Sequence, residues 1–282
     1  VQLELPGALG VPDGRYLARD ETGERVLAIE TLGVPPPPRR RRRRPKRAEP
    51  EAEPSPLPLT RVTAVRAWEP FDSAEEAERW LDETLADEAA TDAAVAEALA
   101  LLNRALHAQA VAGADPLGRA LRAADAATVR IGQGSGKEVA AGRFTVAHEV
   151  DVRASGHSRR RQREEDLRPQ ERLAAVLGGR ERLDACETII LRARADLDAG
   201  RRREAALQLR VGLEALLVEL AGALTDPGHD EDMATLAARR GEAGEAANAA
   251  LNSDLSLDEE RSVSELLAIC ERVLRRRRVL RG

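Results

Sequence analysis

Aromatic residues are almost missing from this sequence: Tyr16, Trp68, Phe71, Trp80 and Phe144 make up 2% of its 282 residues. Smaller side chains must fill the interior, and the 43% hydrophobic content comes mostly from Ala, Leu and Val. Such residues favour helices, so the bulk of the core is expected to be helix packed on helix. Only two cysteines occur, Cys186 and Cys270, with no C-x-x-C pair. A disulfide framework or a thiolate zinc site therefore finds no support, and both residues read as small buried hydrophobes on helix faces. No apolar run reaches the roughly 18 residues that cross a bilayer. The best, Leu99 to Ala114, is interrupted by Arg104 and His107. Glu4, Pro6 and Gly7 stand where a secretory signal would be continuously apolar, so a reducing, cytoplasmic setting is the expectation.

Charged residues make up 33% and nearly cancel, leaving a formal net charge of −5. They do not cancel locally. Arg39, Arg40, Arg41, Arg42, Arg43, Arg44, Lys46 and Arg47 put eight cations into nine positions with no acid. Setting those eight aside leaves about −13 for the remainder, which repels polyanions. The run lies in a proline-rich stretch, Pro35 to Pro58, that begins with four consecutive prolines. Proline fixes φ and has no N–H, which disfavours helix and strand alike, so this stretch is expected to be the least ordered part of the chain.

The periodicity on either side divides the chain into five stretches. Residues 1–34 form a β-hairpin arm, with Tyr16 to Ala18 and Val26 to Ile29 facing each other across a turn. Residues 35–58 are the linker. Residues 59–153 form an α+β domain with further strands at Leu59 to Trp68, Ala127 to Ile131 and Phe144 to Val152. It also contains one long helix, starting at the S-x-x-E box of Ser73 and Glu76 and stopping at Gly113-Ala-Asp-Pro116. Asp72 to Glu97 holds ten acids against one base, Arg79, making a solvated acidic face. Residues 154–167 are a polar, basic connector.

Residues 168–282 are expected to be all helical. Gly178-Gly179 breaks the first helix, and Leu183, Cys186, Ile190 and Leu197 stripe the second, which ends at Gly200. Leu209, Leu213, Leu216, Leu217, Leu220 and Leu224 stripe the third, closed by Asp226-Pro-Gly228. One or two weak helices follow within Met233 to Asn252. A second S-x-x-E box, Ser256 to Glu259, opens a last helix lined by Val263, Leu266, Leu267, Cys270, Val273 and Leu274.

Reactive motifs fail on inspection. Ile131-Gly-Gln-Gly-Ser-Gly-Lys-Glu138 has the composition of a phosphate loop, but a Walker loop needs Gly and Ser or Thr where Ile131 and Glu138 stand. A glycine turn between strands is the better reading. His107, His148, His157 and His229 are scattered without metal-ligand spacing, and His229-Asp-Glu-Asp232 reads as acids serving a helix start. Ala193 to Leu224 resembles one helix-turn-helix unit of the tetratricopeptide type at Leu197, Gly200, Gly212 and Leu216. That family's Trp and Tyr are absent, and no second copy follows at 34 residues.

The expectation is thus a mainly α chain, an α+β N-terminal domain followed by an all-α bundle, with no cofactor or metal. Its function is expected to be protein–protein interaction or self-association through the helical domain rather than catalysis. The alternative is nucleic-acid association, with Arg39 to Arg47 as the polyanion-binding residues, because dense arginines pair with phosphates.

Overall fold

A computed structural model describes residues 1–20, 23–33, 58–67, 70–116, 118–152 and 172–281. The arginine run, the rest of the proline-rich stretch up to residue 57 and the whole of the basic connector lie outside the described residues. The chain divides into two compact units, Val1–Gly156 and His157–Gly282.

The first unit is a six-stranded antiparallel sheet with helices on its apolar face. Its strands are β1 (Gln2–Pro6), β2 (Gly14–Asp20), β3 (Gly23–Leu32), β4 (Leu59–Arg66), β5 (Thr128–Gln133) and β6 (Val146–Glu149). They run in the order β2-β3-β4-β1-β5-β6. The expected hairpin is present as β2 and β3, in a register that pairs Tyr16 with Leu27. The expected pairing of the two later strands appears as β5 with β6. The sequence reading passes over β1, although Val1-Gln2-Leu3-Glu4-Leu5 alternates apolar and polar, and the strand occupies the middle of the sheet, between β4 and β5. Gln2 and Glu4 point away from the core that Leu3 and Leu5 enter, and Pro6, lacking a donor, falls at the strand's last residue.

The single long helix of the sequence reading is two helices, α1 (Ala74–Ala86) and α2 (Glu88–Ala112). Asp87 between them is extended, at φ −111° and ψ 110°, and its carboxylate accepts from the Ala89 amide at 2.9 Å, capping α2. The Thr91 hydroxyl donates to the Thr84 carbonyl at 2.8 Å, tying the two ends together. Side-chain periodicity survives such a break, because Asp is as good a cap as it is a solvated helix residue. Leu81, Val95, Leu101 and Leu102 then pack on Leu3, Leu27, Ile29, Val62, Val129 and Ile131.

The second unit is all α. After a helical segment at residues 172–177 (α4) come α5 (Ala185–Asp198), α6 (Arg202–Glu219), α7 (Pro227–Ala238), α8 (Arg240–Asn252) and α9 (Leu257–Arg281). Gly200, at φ +73°, turns the chain from α5 into α6, a conformation that suits glycine. The helices cross closely at Gly212, where an added Cβ would meet the Ile190 side chain at 2.8 Å. Leu209, Leu213, Leu216 and Leu220 are buried, whereas Leu224 is only partly so because α6 ends at Glu219. Asp226-Pro-Gly228 does not close α6. It opens α7, with Asp226 accepting from the His229 amide at 2.8 Å and Pro227 in the first turn, where its missing N–H costs nothing. Leu183, expected on the α5 stripe, precedes that helix and is 59% exposed. The α9 stripe from Val263 to Leu274 is buried as expected. Its capping box is present too: the Ser256 amide donates to Glu259 at 2.7 Å, and the Glu259 amide to the Ser256 hydroxyl at 3.3 Å.

Candidate functional site

The residues read as polyanion-binding, Arg39 to Arg44, Lys46 and Arg47, lie outside the described residues. The glycine string does form the β5–β6 connection, but as a longer one than a simple turn, carrying the five-residue helix α3 (Gly136–Ala140). Gly132 sits where a Cβ would come within 2.5 Å of the Val146 carbonyl oxygen, so strand packing explains that glycine. Gly142 lets the same connection fold over the polar face of the sheet. There the Gln2 amide donates to the Gly142 carbonyl at 2.8 Å and to the Thr63 hydroxyl at 3.0 Å.

Charge is organised on both faces of that sheet. On the polar face Glu4 accepts from Arg61 on β4 and from Arg130 on β5, at 3.0 and 3.1 Å. Burial opposes its ionisation, but the two arginines outweigh burial and hold its carboxyl below the usual glutamate range. At the other face, Glu97 of α2 pairs with Arg25 of β3 at 2.7 Å and with Arg66 of β4. Burial again opposes the charge there, and hydrogen bonds from Arg66 and Arg25 overcome it. These groups are mutually neutralised, which makes them cross-links between elements rather than reagents.

Of the acidic residues on α1 and α2, Glu83, Asp87 and Glu88 are exposed. Near the break between the helices is a cleft of about 470 Å³, lined by Glu88, Asp92, His148, Glu149 and Asp151 among others. Among the described residues, no group of three or more His, Cys, Asp or Glu side chains is arranged to hold a metal ion.

In the helical unit His229 is 1% exposed, with its Nε2 3.4 Å from the Leu220 carbonyl. Asp232, one turn on, binds Arg272 through a pair of short contacts at 2.6 and 3.0 Å, and this guanidinium holds the Asp232 carboxyl below its ordinary range. Of the acids in His229-Asp-Glu-Asp232, Asp230 lies in the first turn of α7 as a helix start favours, while Asp232 instead ties α7 to α9. Cys186 and Cys270 are fully buried, and burial pushes both thiols up to about 12. Thiols held that high carry almost no thiolate at neutral pH and are poor nucleophiles.

What the helical unit does present is surface. A shallow groove of about 490 Å³ runs between α6 and α8, lined by Arg210, Leu213, Glu214, Arg240, Gly241 and Gly244 among others. Arg240 donates to Glu214 at 2.6 Å and Arg210 to Asn248 at 3.1 Å along its walls. Beside it on α6, Val211 and Val218 are 56% and 78% exposed. The sequence reading assigned α6 a single apolar stripe, because its leucines dominate the pattern. The second, valine-bearing face is recognisable once the buried stripe is subtracted. Comparison with known protein families, curated proteins and solved structures finds no match for this chain.

Proposed function

We propose that this chain is a non-catalytic interaction protein whose helical unit supplies the binding or self-association surface. The observation that carries the reading is apolar surface left over outside a complete core. Val211, Val218, Leu251 and Leu257 are each more than half exposed, while the leucines beneath them are already buried. Single exposed apolar residues are ordinary; Val211 and Val218 are two helical turns apart on one face of α6, and a shared face is what suits a contact surface. Light scattering after size exclusion tests it: the full chain, 30.5 kDa as a monomer, is expected to give a mass that rises with loading concentration. A constant monomer mass up to about 100 µM counts against self-association at micromolar strength.

A second reading is favoured by the sequence of the arginine run itself. Eight cations within nine residues suit phosphates, and such binding would weaken steeply with salt as counterions are released. Anisotropy titrations with duplex and single-stranded oligonucleotides should then show binding at low salt that Arg39 to Arg44→Ser abolishes. Binding that stays submicromolar at physiological salt would make nucleic-acid association the primary function.

A further inference from the structure

We propose that the exposed face of α6 is where a second copy of this chain docks, the two α6 helices lying antiparallel about a two-fold axis level with Gly212. This rests on the self-association reading above and adds its partner, face and symmetry.

The argument begins with the pattern of α6. At 3.6 residues per turn, Leu207, Arg210, Val211, Glu214, Leu217 and Val218 fall within an arc of roughly 120°. That arc lies opposite the stripe of Ala205, Leu209, Leu216 and Leu220 that enters the core. Leu207 and Leu217 are partly buried, and Val211 and Val218 are largely exposed. Between Leu207 and Val218 the face is therefore mainly apolar, with one cation and one anion a turn apart; Leu207 and Leu217 also pack against the core, and Arg203, a turn earlier in the same arc, donates to the Ala250 carbonyl.

Charge order selects the partner. In a two-fold symmetric contact the same surface meets itself, so it must be complementary to its own reverse. Arg210 and Glu214 stand two residues either side of Gly212. An antiparallel α6 centred there brings each Arg210 onto Glu214 of the partner subunit. The same operation sets Leu207 against Leu217 of the partner subunit and places the two Val211 side chains together near the axis. A parallel arrangement would oppose like charges at both positions. Today's partners of these residues, Asn248 for Arg210 and Arg240 for Glu214, lie on the groove wall, with the side chains of Glu214 and Arg240 41% and 61% exposed. They orient the charges while leaving room for a second contact.

The flank of the groove is consistent with close approach. Gly241 and Gly244 lie within α8 on the groove side, and an added Cβ at either would meet nothing within 4 Å. Glycine inside a helix costs about 0.5–1 kcal/mol relative to alanine, and nothing among the described residues requires it at these two positions. A second backbone drawing near supplies a reason.

Sedimentation velocity on the full chain reads the outcome. The native chain is expected to dimerise, and Val211→Asp to raise the dimer dissociation constant roughly tenfold or more, since it places two carboxylates together at the centre of the contact. Arg210→Glu alone and Glu214→Arg alone should each weaken dimerisation, while an equimolar mixture of these two variants should form a heterodimer in which both charge pairs are restored. Val211→Cys should give a 211–211 disulfide-linked dimer under mild oxidation, the native thiols being buried. Circular dichroism of each variant checks that the helices are intact. A native chain that stays monomeric overturns both this proposal and the self-association reading. A native dimer that tolerates Val211→Asp and fails to cross-link through Val211→Cys overturns this face alone and leaves self-association standing.

Discussion

At Glu97 one carboxylate joins a helix to two adjacent strands, because Arg25 and Arg66 are direct neighbours across β3 and β4. The side chain of Arg25 is only 14% exposed, so Glu97→Gln removes a charged partner from a largely desolvated cation. Hydrogen bonds to charged groups contribute about 1.5–3 kcal/mol, and Glu97→Gln is expected to destabilise the N-terminal unit by about 1–2 kcal/mol at pH 7. The sign of its pH dependence follows from a folded pKa held below the ordinary glutamate value, burial being overcome by the hydrogen bonds from Arg66 and Arg25. The charged pair's contribution is fully present above that ordinary value and is lost as pH falls through the folded value. Chemical denaturation of wild type and variant should therefore show a gap at pH 7 that closes toward pH 3. A gap that is constant over that range would mean that the ion pairs contribute nothing to it.

Gly132 shows how a single small residue sets the fit between two elements. A methyl group there meets backbone of the neighbouring strand, at 2.5 Å from the Val146 oxygen and 3.0 Å from the Ala147 Cα, and backbone cannot swing aside as a side-chain tip can. Gly132→Ala is expected to cost about 1–3 kcal/mol, the usual range for overpacking, and to separate β5 from β6. Thermal melts measure it; an unchanged midpoint would show that the hairpin has slack. At this scale the sequence was informative wherever a face repeats. The α9 stripe, the Ser256 box and the β2–β3 and β5–β6 pairings follow from alternation, caps and turn residues; at Ser73 the serine caps the Glu76 amide, but the Glu76 carboxylate takes the Asp72 amide in place of the serine's own. The sequence misleads where polar residues serve structure. Glu4, read as an interruption of an apolar segment, is with Gln2 the polar half of the β1 alternation, and the two bind Thr63, Gly142, Arg61 and Arg130 in the sheet. Asp87 hid a helix break by looking like one more acid on an acidic face. The Val211 face was hidden for a related reason: two valines among charged residues are faint beside a row of leucines, and their exposure depends on which neighbours α6 has.

For the whole molecule, charge and apolar surface are unevenly distributed. The cations of Arg39 to Arg47 are set in a chain whose remainder is acidic. Val211, Val218, Leu251 and Leu257 are among the largely exposed apolar residues of the helical unit, against Leu17 and Val111 in the first, and the helical unit has its own core of Cys186, Ile190, Leu213, Leu236, Leu266 and others. Since that core is drawn from α5 to α9, residues 165–282 are expected to fold alone with a cooperative, helical thermal transition. The most direct test of the central claim, that the helical unit carries the interaction surface, is sedimentation equilibrium of the full chain beside this fragment. Self-association with the same concentration dependence in both is the predicted result; a fragment that melts cooperatively yet stays monomeric where the full chain is dimeric would contradict it.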